Sequence, residues 1–393
     1  MQRHSLPQLF GHKLQCACLT IRVMLQHSRS LSRRGLQYFN TGIYTSATVI
    51  SRAEIAGEKT WYPPRTHQSF KRAYTASKIT RMASSNTISS VKGDGYTLGV
   101  LACGTMGNAI LSGIFQSLNE QNKLHQSSSD RQLIPSRFVA SVRRPEGAQK
   151  IKSELRHYPQ FEKLSIYQND NTSAAKEADV VILACAPNKP ASILQAPGMK
   201  EALSGKLLIH ILAGVSVKDV QEQLHDTTAP ETSQCTIVRT LPNAAAAVRQ
   251  SCTVVATSDP LLTPEHDAIV KWIFSQVGRV IYLPEAQMNI AAVLAGATPA
   301  MMATLIDGIA QGGIELGSPM RESYEMAAQA MIAAGTLVLQ GAHPAQVRDG
   351  CSCPGGCTAK SLAVIEEGAV KGTLAKAVRE GVAVAEKLGA KSD

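Results

Sequence analysis

Residues 98–107 read Leu-Gly-Val-Leu-Ala-Cys-Gly-Thr-Met-Gly, an apolar run that breaks into small residues and then opens a helical pattern. The spacing Ala102-x-Gly104-x-x-Gly107 between a strand and a helix is the dinucleotide fingerprint with Ala in first place. Each position has a physical task. Gly104 lets backbone approach a diphosphate, and Gly107 lets the helix pack on its strand. Thr105 and Met106 open the helix, whose free N–H groups and partial positive charge face the anion. The motif therefore demands a Rossmann-type crossover, a constraint the rest of the chain must satisfy.

It does so from Tyr96 onward. Short β-branched or continuously apolar runs, as expected of strands covered on both faces, occur at 96–102, 138–142, 180–184, 206–212, 235–240, 251–257 and 279–283. Helical periods separate most of them, the pattern of a parallel sheet with crossover helices. The polar stretch 119–136 reads as a surface loop. After Pro284 strand patterns stop, and residues rich in Ala, Gly, Leu and Met predict helices over 285–294, 299–316, 321–340, 356–367 and 374–388. The expected architecture is an α/β Rossmann-type N-terminal domain, residues 94–284, followed by an all-helical C-terminal domain, residues 285–393. Gly308, Gly312, Gly313 and Gly317 would permit close helix packing, either inside the domain or against another subunit.

Charge is unevenly placed. The chain carries a formal net charge of +10, but residues 1–81 hold nine Arg and four Lys against only Glu54 and Glu58, so the remainder is close to neutral. That distribution, with no basic stripe interleaved with aromatics, gives a nucleic-acid groove little support. No uninterrupted apolar run reaches the roughly 18 residues of a membrane span, so a soluble protein without a membrane partner is expected. Residues 1–93 read as a leader. They are Arg- and Ser-rich and acid-poor, which fits a mitochondrial transit peptide; a start at Met82 would instead leave the protein cytoplasmic. The nine cysteines form no disulfide framework. Cys351, Cys353 and Cys357 lack the further ligands of a zinc site, and no metal is expected.

The end of the second strand, where NAD-preferring folds place an acid, reads Ser141-Val142-Arg143-Arg144. A hydroxyl and two guanidiniums suit the 2′-phosphate of NADPH, with NADH the less favoured alternative. Ala184, Cys185, Ala186 and Pro187 end another strand at the carboxyl edge of the sheet, where ligands of open α/β sheets gather.

Three further segments carry a resemblance. Arg239-Thr240-Leu241-Pro242-Asn243, Ala295-Gly296-Ala297-Thr298-Pro299-Ala300 and the run from Asp349 through Ser352-Cys353-Pro354-Gly355-Gly356 to Thr358 resemble, in order and spacing, segments of the pyrroline-5-carboxylate reductases. The resemblance covers about residues 96–390. It implies NAD(P)H-dependent reduction of the cyclic imine Δ1-pyrroline-5-carboxylate to L-proline, the last step of proline biosynthesis, by a homodimer or larger homo-oligomer. It places Asn243 beside the cofactor, Thr298 and Thr358 in catalysis, and Ser352, Cys353, Gly355, Gly356 and Thr358 around the substrate. Independently of the name, two glycines at a helix start with a hydroxyl beside them suit a carboxylate.

The sequence departs from the family where Ala186 replaces a frequent Lys, Gly350 an Asn, Ala297-Thr298 a Ser-Gly pair and Cys353 a Ser. These changes leave open a relative acting on another cyclic imine carboxylate, or a non-catalytic NADPH-binding module. A β-hydroxyacid dehydrogenase relative would need a lysine on the first helices of the second domain, but none occurs between Lys271 and Lys360.

Overall fold

The computed structural model describes residues 95–123, 133–224, 235–258 and 260–389; the leader expectation for residues 1–93 lies outside them. Eight strands form one sheet in the order β3-β2-β1-β4-β5-β6-β7-β8. They are β1 (Tyr96–Leu101), β2 (Pro135–Val142), β3 (Leu164–Gln168), β4 (Val180–Leu183), β5 (Leu207–His210), β6 (Thr236–Leu241), β7 (Ser251–Thr257) and β8 (Gly278–Pro284). β1 pairs with β2 on one side and β4 on the other, so the chain reverses its direction of build between β1 and β4. Ligand crevices open at such a switch point.

Side chains alternate across the sheet, and both faces are covered. One face sets Leu98, Val100, Phe138 and Ile182 against helices α1 (Thr105–Lys123), α2 (Pro145–Leu155) and α4 (Pro264–Ser275). The other sets Leu101, Val139, Val181 and Leu183 under α3 (Asn171–Glu177) and the short helices that follow. The sequence signals at α4 are visible in its geometry: Thr263 caps it by accepting from the His266 N–H at 3.2 Å, and Pro264 occupies the first turn, where no amide is needed.

Several expectations change. The sheet has an eighth strand, β3, which is half-buried at an edge and so lacks the continuous apolar run of its neighbours. β7 runs antiparallel to β6, interrupting an otherwise parallel sheet. The segment read as a loop over 119–136 is helical to Lys123 and strand from Pro135.

The helical part also differs. Rather than two helices, residues Glu285–Glu315 form one run of 31 residues. A π-helical stretch, Ala292–Ala297, leads into α5 (Thr298–Glu315), and Pro299 sits where a first-turn proline is tolerated. Then come α6 (Met320–Leu339), α7 (Pro344–Gly350, where no helix was expected), α8 (Cys357–Glu367) and α9 (Val370–Gly389), which begins at Val370 rather than 374. The 31-residue run averages a hydropathy of 1.6 over its most apolar window, enough by length and composition for a membrane span. It holds no uninterrupted apolar run of that length, because Asp307, Gln311 and several glycines lie within the helix. Little of it is covered in the single chain: Ile309 is 60% exposed, as are comparable fractions of Met326 and Ile332 on α6. Gly308, Gly312 and Gly317 face nothing within 4 Å, whereas Gly313 meets Ser323.

Candidate active site

The β1–α1 turn builds a concave backbone surface. Ala102 takes a left-handed conformation, φ +52°, at the position where the fingerprint usually has glycine. Such a conformation costs a non-glycine residue about 1–3 kcal/mol, and local hydrogen bonds hold it. The Ala102 N–H donates to Ser141 Oγ at 3.1 Å, the Cys103 N–H to the Ser141 carbonyl at 2.7 Å, and the Gly104 N–H to the Ala102 carbonyl at 2.7 Å. The first bond of α1 runs from Asn108 N–H to Gly104 O, leaving the N–H groups of Thr105, Met106 and Gly107 without intrahelical acceptors.

The two glycines divide the work as the sequence implies. A Cβ at Gly104 would meet nothing nearer than the Ala102 carbonyl at 3.9 Å, so the space beside it is open to a ligand. A Cβ at Gly107 would lie 2.8 Å from Val100 Cγ1, 3.1 Å from Cys103 Sγ and 3.4 Å from Ala184 Cβ. Helix and strand touch there.

A cleft of about 410 Å³ opens in front of this turn, lined by Ala102, Cys103, Gly104, Val142, Arg143, Arg144, Glu146 and Gly147. Arg143 and Arg144 are exposed, and neither forms an ion pair among the described residues. Glu146, in the first turn of α2, was not singled out from sequence; its place two residues after Arg144 in that turn was the available signal. A backbone cradle with room at Gly104, beside two uncommitted guanidiniums, fits a dinucleotide carrying an extra phosphate. Burial pushes the Cys103 thiol up to about 12 and the Cys185 thiol up to about 11, so neither supplies a thiolate at neutral pH.

Two assigned residues are placed differently. Ser141 is fully buried, its hydroxyl donating to Asn171 Oδ1 at 2.6 Å, so it belongs to the turn rather than to the cleft surface. Asn243 is also buried, and its amide is committed. Nδ2 donates to the Ala295 carbonyl at 2.7 Å, and Oδ1 accepts from the Ala245 N–H at 3.0 Å. It ties the end of β6 to the π-helical stretch. Ala184, Cys185, Ala186 and Pro187 lie outside the cleft lining but follow β4, the neighbour of β1, with the Ala184 N–H donating to the Leu101 carbonyl at 3.0 Å.

Thr298, half-buried at the start of α5, donates to the Val293 carbonyl at 3.0 Å. The loop before α8 is a turn in which the Gly356 N–H donates to the Cys353 carbonyl at 3.0 Å, with Pro354 second and Gly355 third at φ +71°. That is a type II turn, whose third position requires glycine or its like. A Cβ on Gly356 would lie 2.5 Å from Cys353 Sγ, which would have to turn away, and 3.1 Å from the Cys353 carbonyl oxygen. The first bond of α8 runs from Lys360 N–H to Gly356 O at 3.3 Å, which leaves the N–H groups of Cys357, Thr358 and Ala359 free for an anion. Ser352 and Thr358 are half-buried and Cys353 is exposed. This loop and Thr298 do not line the cofactor cleft; α8 packs on α9, which packs on the π-helical stretch ahead of Thr298.

A sheet with a fingerprint crossover and a helical tail defines a Rossmann-type dinucleotide-binding protein, and comparison narrows the class. Residues 285–388 match the model for pyrroline-5-carboxylate reductase dimerisation, and residues 97–214 the model for NADP oxidoreductase, coenzyme F420-dependent. The chain is 44% identical to a pyrroline-5-carboxylate reductase of Lophium arboricola, over 76% of this chain and 95% of that one. It is 39% identical to one from Neurospora crassa, over 75% and 93%. The fold matches the NADP-bound pyrroline carboxylate reductase of Plasmodium falciparum, with TM-score 0.59, 22% identity and coverage of 75% of this chain and 98% of that one. The chain belongs to the pyrroline-5-carboxylate reductase family.

Proposed function

We propose that this protein reduces Δ1-pyrroline-5-carboxylate to L-proline with NADPH, as a homodimer or larger homo-oligomer. The observation that carries the reading is the open backbone cradle at Gly104, flanked by the unpaired Arg143 and Arg144, in a chain of this family. NADPH supplies a hydride when bound. Ala102, Gly104 and the first-turn N–H groups at Thr105 and Met106 hold its diphosphate, and Arg143 and Arg144 hold the 2′-phosphate that distinguishes it from NADH. The 184–187 segment borders the crevice on the β4 side.

The turn at 353–356 and the amides of α8 bind the substrate carboxylate, with Thr358 and Ser352 adding hydroxyl donors. An iminium ring nitrogen already carries its proton, so the protein's task is to orient the ring and exclude water rather than to provide a strong acid. The family resemblance puts Thr298 near the substrate, with its hydroxyl proton given to the Val293 carbonyl and its oxygen free to accept. The uncovered apolar flanks of α5 and α6 support a second copy as their partner. The basic, acid-poor leader supports mitochondrial targeting, which a fluorescent fusion of residues 1–93 would test by its location.

The test of function is substrate-dependent loss of NADPH absorbance with Δ1-pyrroline-5-carboxylate beside other cyclic imine carboxylates and 2-keto acids. Proline formation selective for the first substrate is expected. Turnover only on another imine, or NADPH binding without turnover on any, would overturn the assignment.

A further inference from the structure

The loop before α8 carries thiols that imine reduction does not use. Cys351, Cys353 and Cys357 fall within one stretch of seven residues, and all three are exposed. The other described cysteines differ. Cys103 and Cys235 are buried, Cys185 and Cys252 are half-buried, and burial holds these four thiols above their ordinary pKa. Because access and ionisation govern attack by sulfur, the reactive thiols among the described residues are gathered at this loop. No three His, Cys, Asp or Glu side chains among the described residues are grouped to hold a metal ion, which leaves these thiols the chemistry of pairs.

We infer that Cys353 and Cys357 form a reversible disulfide under oxidation, and that this bridge closes the carboxylate cradle to the imine substrate. The turn brings the pair together. The Gly356 N–H donates to the Cys353 carbonyl at 3.0 Å, and Cys353 Sγ lies 2.5 Å from where a Gly356 Cβ would stand. Cys357 is the next residue and the first of α8. The Cα atoms at the ends of such a turn are less than about 7 Å apart, and a disulfide joins Cα atoms about 4.4–6.8 Å apart. Gly355 and Gly356, between the two sulfurs, give the backbone freedom to adjust. Cys351 lies on the other side of the loop at the end of α7, where its N–H donates to the Val347 carbonyl at 3.3 Å. With only Ser352 between them, a bridge from Cys351 to Cys353 would strain the backbone.

The step balances with hydrogen peroxide as oxidant. One sulfur attacks the peroxide and loses its proton, the O–O bond breaks, and a sulfenic acid and water form; the second sulfur then displaces the hydroxyl as another water, making the S–S bond. Two thiols are oxidised and one peroxide is reduced. Exchange with a dithiol reverses it. The bridge draws Cys353 Sγ across the free N–H groups at the start of α8, where it competes with the carboxylate. The inference therefore rests on the reading of this loop as the carboxylate site. None of the loop's residues lines the cofactor cleft, so NADPH binding is spared.

The full chain, as wild type, Cys351→Ser, Cys353→Ser and Cys357→Ala, is treated with hydrogen peroxide, desalted, and divided between peptide mass mapping without reductant and steady-state kinetics. Each protein is compared with its own untreated rate, so effects of substitution on basal turnover cancel. Wild type and Cys351→Ser are expected to show the 353–357 bridge, an unchanged KM for NADPH and recovery with dithiothreitol. Blocking the N–H groups removes at least one charge-assisted hydrogen bond, so their KM for the imine should rise roughly tenfold or more. Cys353→Ser and Cys357→Ala should keep their untreated KM. A bridge to Cys351, a link between two chains, no bridge in treated wild type, or an undiminished response in Cys357→Ala would overturn the pairing; the wild-type mapping decides this even without the variants. A 353–357 bridge with unchanged imine KM would instead overturn the reading of the loop as the carboxylate site, and the switch with it.

Discussion

Gly104 and Gly107 belong to one motif, yet the structure gives them separable failures. Adding a methyl at Gly107 forces it to 2.8 Å from Val100 Cγ1 and 3.1 Å from Cys103 Sγ, both fully or nearly fully buried and unable to swing away. Overpacking of that kind costs about 1–3 kcal/mol. At roughly 2 °C per kcal/mol for a chain of this size, Gly107→Ala should lower Tm by about 2–6 °C. At Gly104 the same methyl enters open space, 3.9 Å from the nearest neighbouring atom, the Ala102 carbonyl oxygen. Gly104→Ala should therefore leave Tm within about 1 °C in the absence of nucleotide, since exposed substitutions fall within roughly 0.5 kcal/mol. Its effect appears on adding NADPH. A methyl between backbone and diphosphate displaces one or more charge-assisted hydrogen bonds, each worth about 1.5–3 kcal/mol, so NADPH should bind roughly ten- to a hundredfold more weakly. Thermal unfolding with and without NADPH reads both quantities in one assay. A Gly104→Ala protein that is destabilised without nucleotide but shifts normally with it would refute the division of roles, as would Gly107→Ala with unchanged Tm.

Replacing both Arg143 and Arg144 with Ala should raise KM for NADPH at least tenfold while changing that for NADH less than threefold; an unaltered preference would remove them from the 2′-phosphate. Thr358→Val keeps the shape of the α8 first turn and deletes its hydroxyl, so KM for the imine should rise several-fold at unchanged KM for NADPH, and unchanged imine kinetics would place the carboxylate elsewhere. His210 is fully buried with both ring nitrogens unpartnered, and burial, aided by the nearby Arg239 charge, pushes its pKa down from 6.5 to about 3. The unfolded chain therefore binds a proton that the folded chain refuses between pH 6.5 and 3, and stability falls on acidification through that window by about 1.4 kcal/mol per unit. His210→Leu should flatten that slope in pH-dependent denaturant titrations; an identical slope would show that His210 does not supply it.

The parts of this fold that sequence makes legible are those where burial is complete. β1, β4 and β5 are covered on both faces and read as unbroken apolar runs, and the fingerprint appears where β1 meets α1. β3 escapes because its residues Leu164, Ser165, Ile166 and Tyr167 are only half-buried at the sheet edge. The antiparallel direction of β7 escapes for a different reason, since a strand buried on both faces has the same composition whichever way it runs. Ser141 shows the limit for the site. The residue type was right for a phosphate, but sequence does not say whether the last residues of β2 point to the cleft or back under the turn, and burial sends Ser141 to Ala102 while Arg143 and Arg144 reach solvent. Asn171 is distant in sequence from the fingerprint and lies beyond the second strand, so no local pattern marks it as part of the cradle.

The sheet is joined to the helical part by an apolar cluster from β6 and β7 and by polar links from β6 and the residues just past its end. Arg239 on β6, whose side chain is 4% exposed, pairs with Glu285 at 2.8 Å and donates to Asn289 Oδ1 at 3.0 Å. Asn243, just past the end of that strand, holds the Ala295 carbonyl, while Leu241 packs with Met288, Ala291 and Ala295. The run 285–297 is thereby gripped at its first turn and again at its π-helical stretch, which sets the start of α5 at Thr298. An apolar interface alone would tolerate sliding by small amounts, because its contacts are non-directional. A buried guanidinium does not, since its donors need acceptors at fixed positions, even though Glu285, 38% exposed, is partly screened by solvent. The Arg-Thr-Leu-Pro-Asn segment that carried the family resemblance therefore fixes the register between the cofactor sheet and the helices.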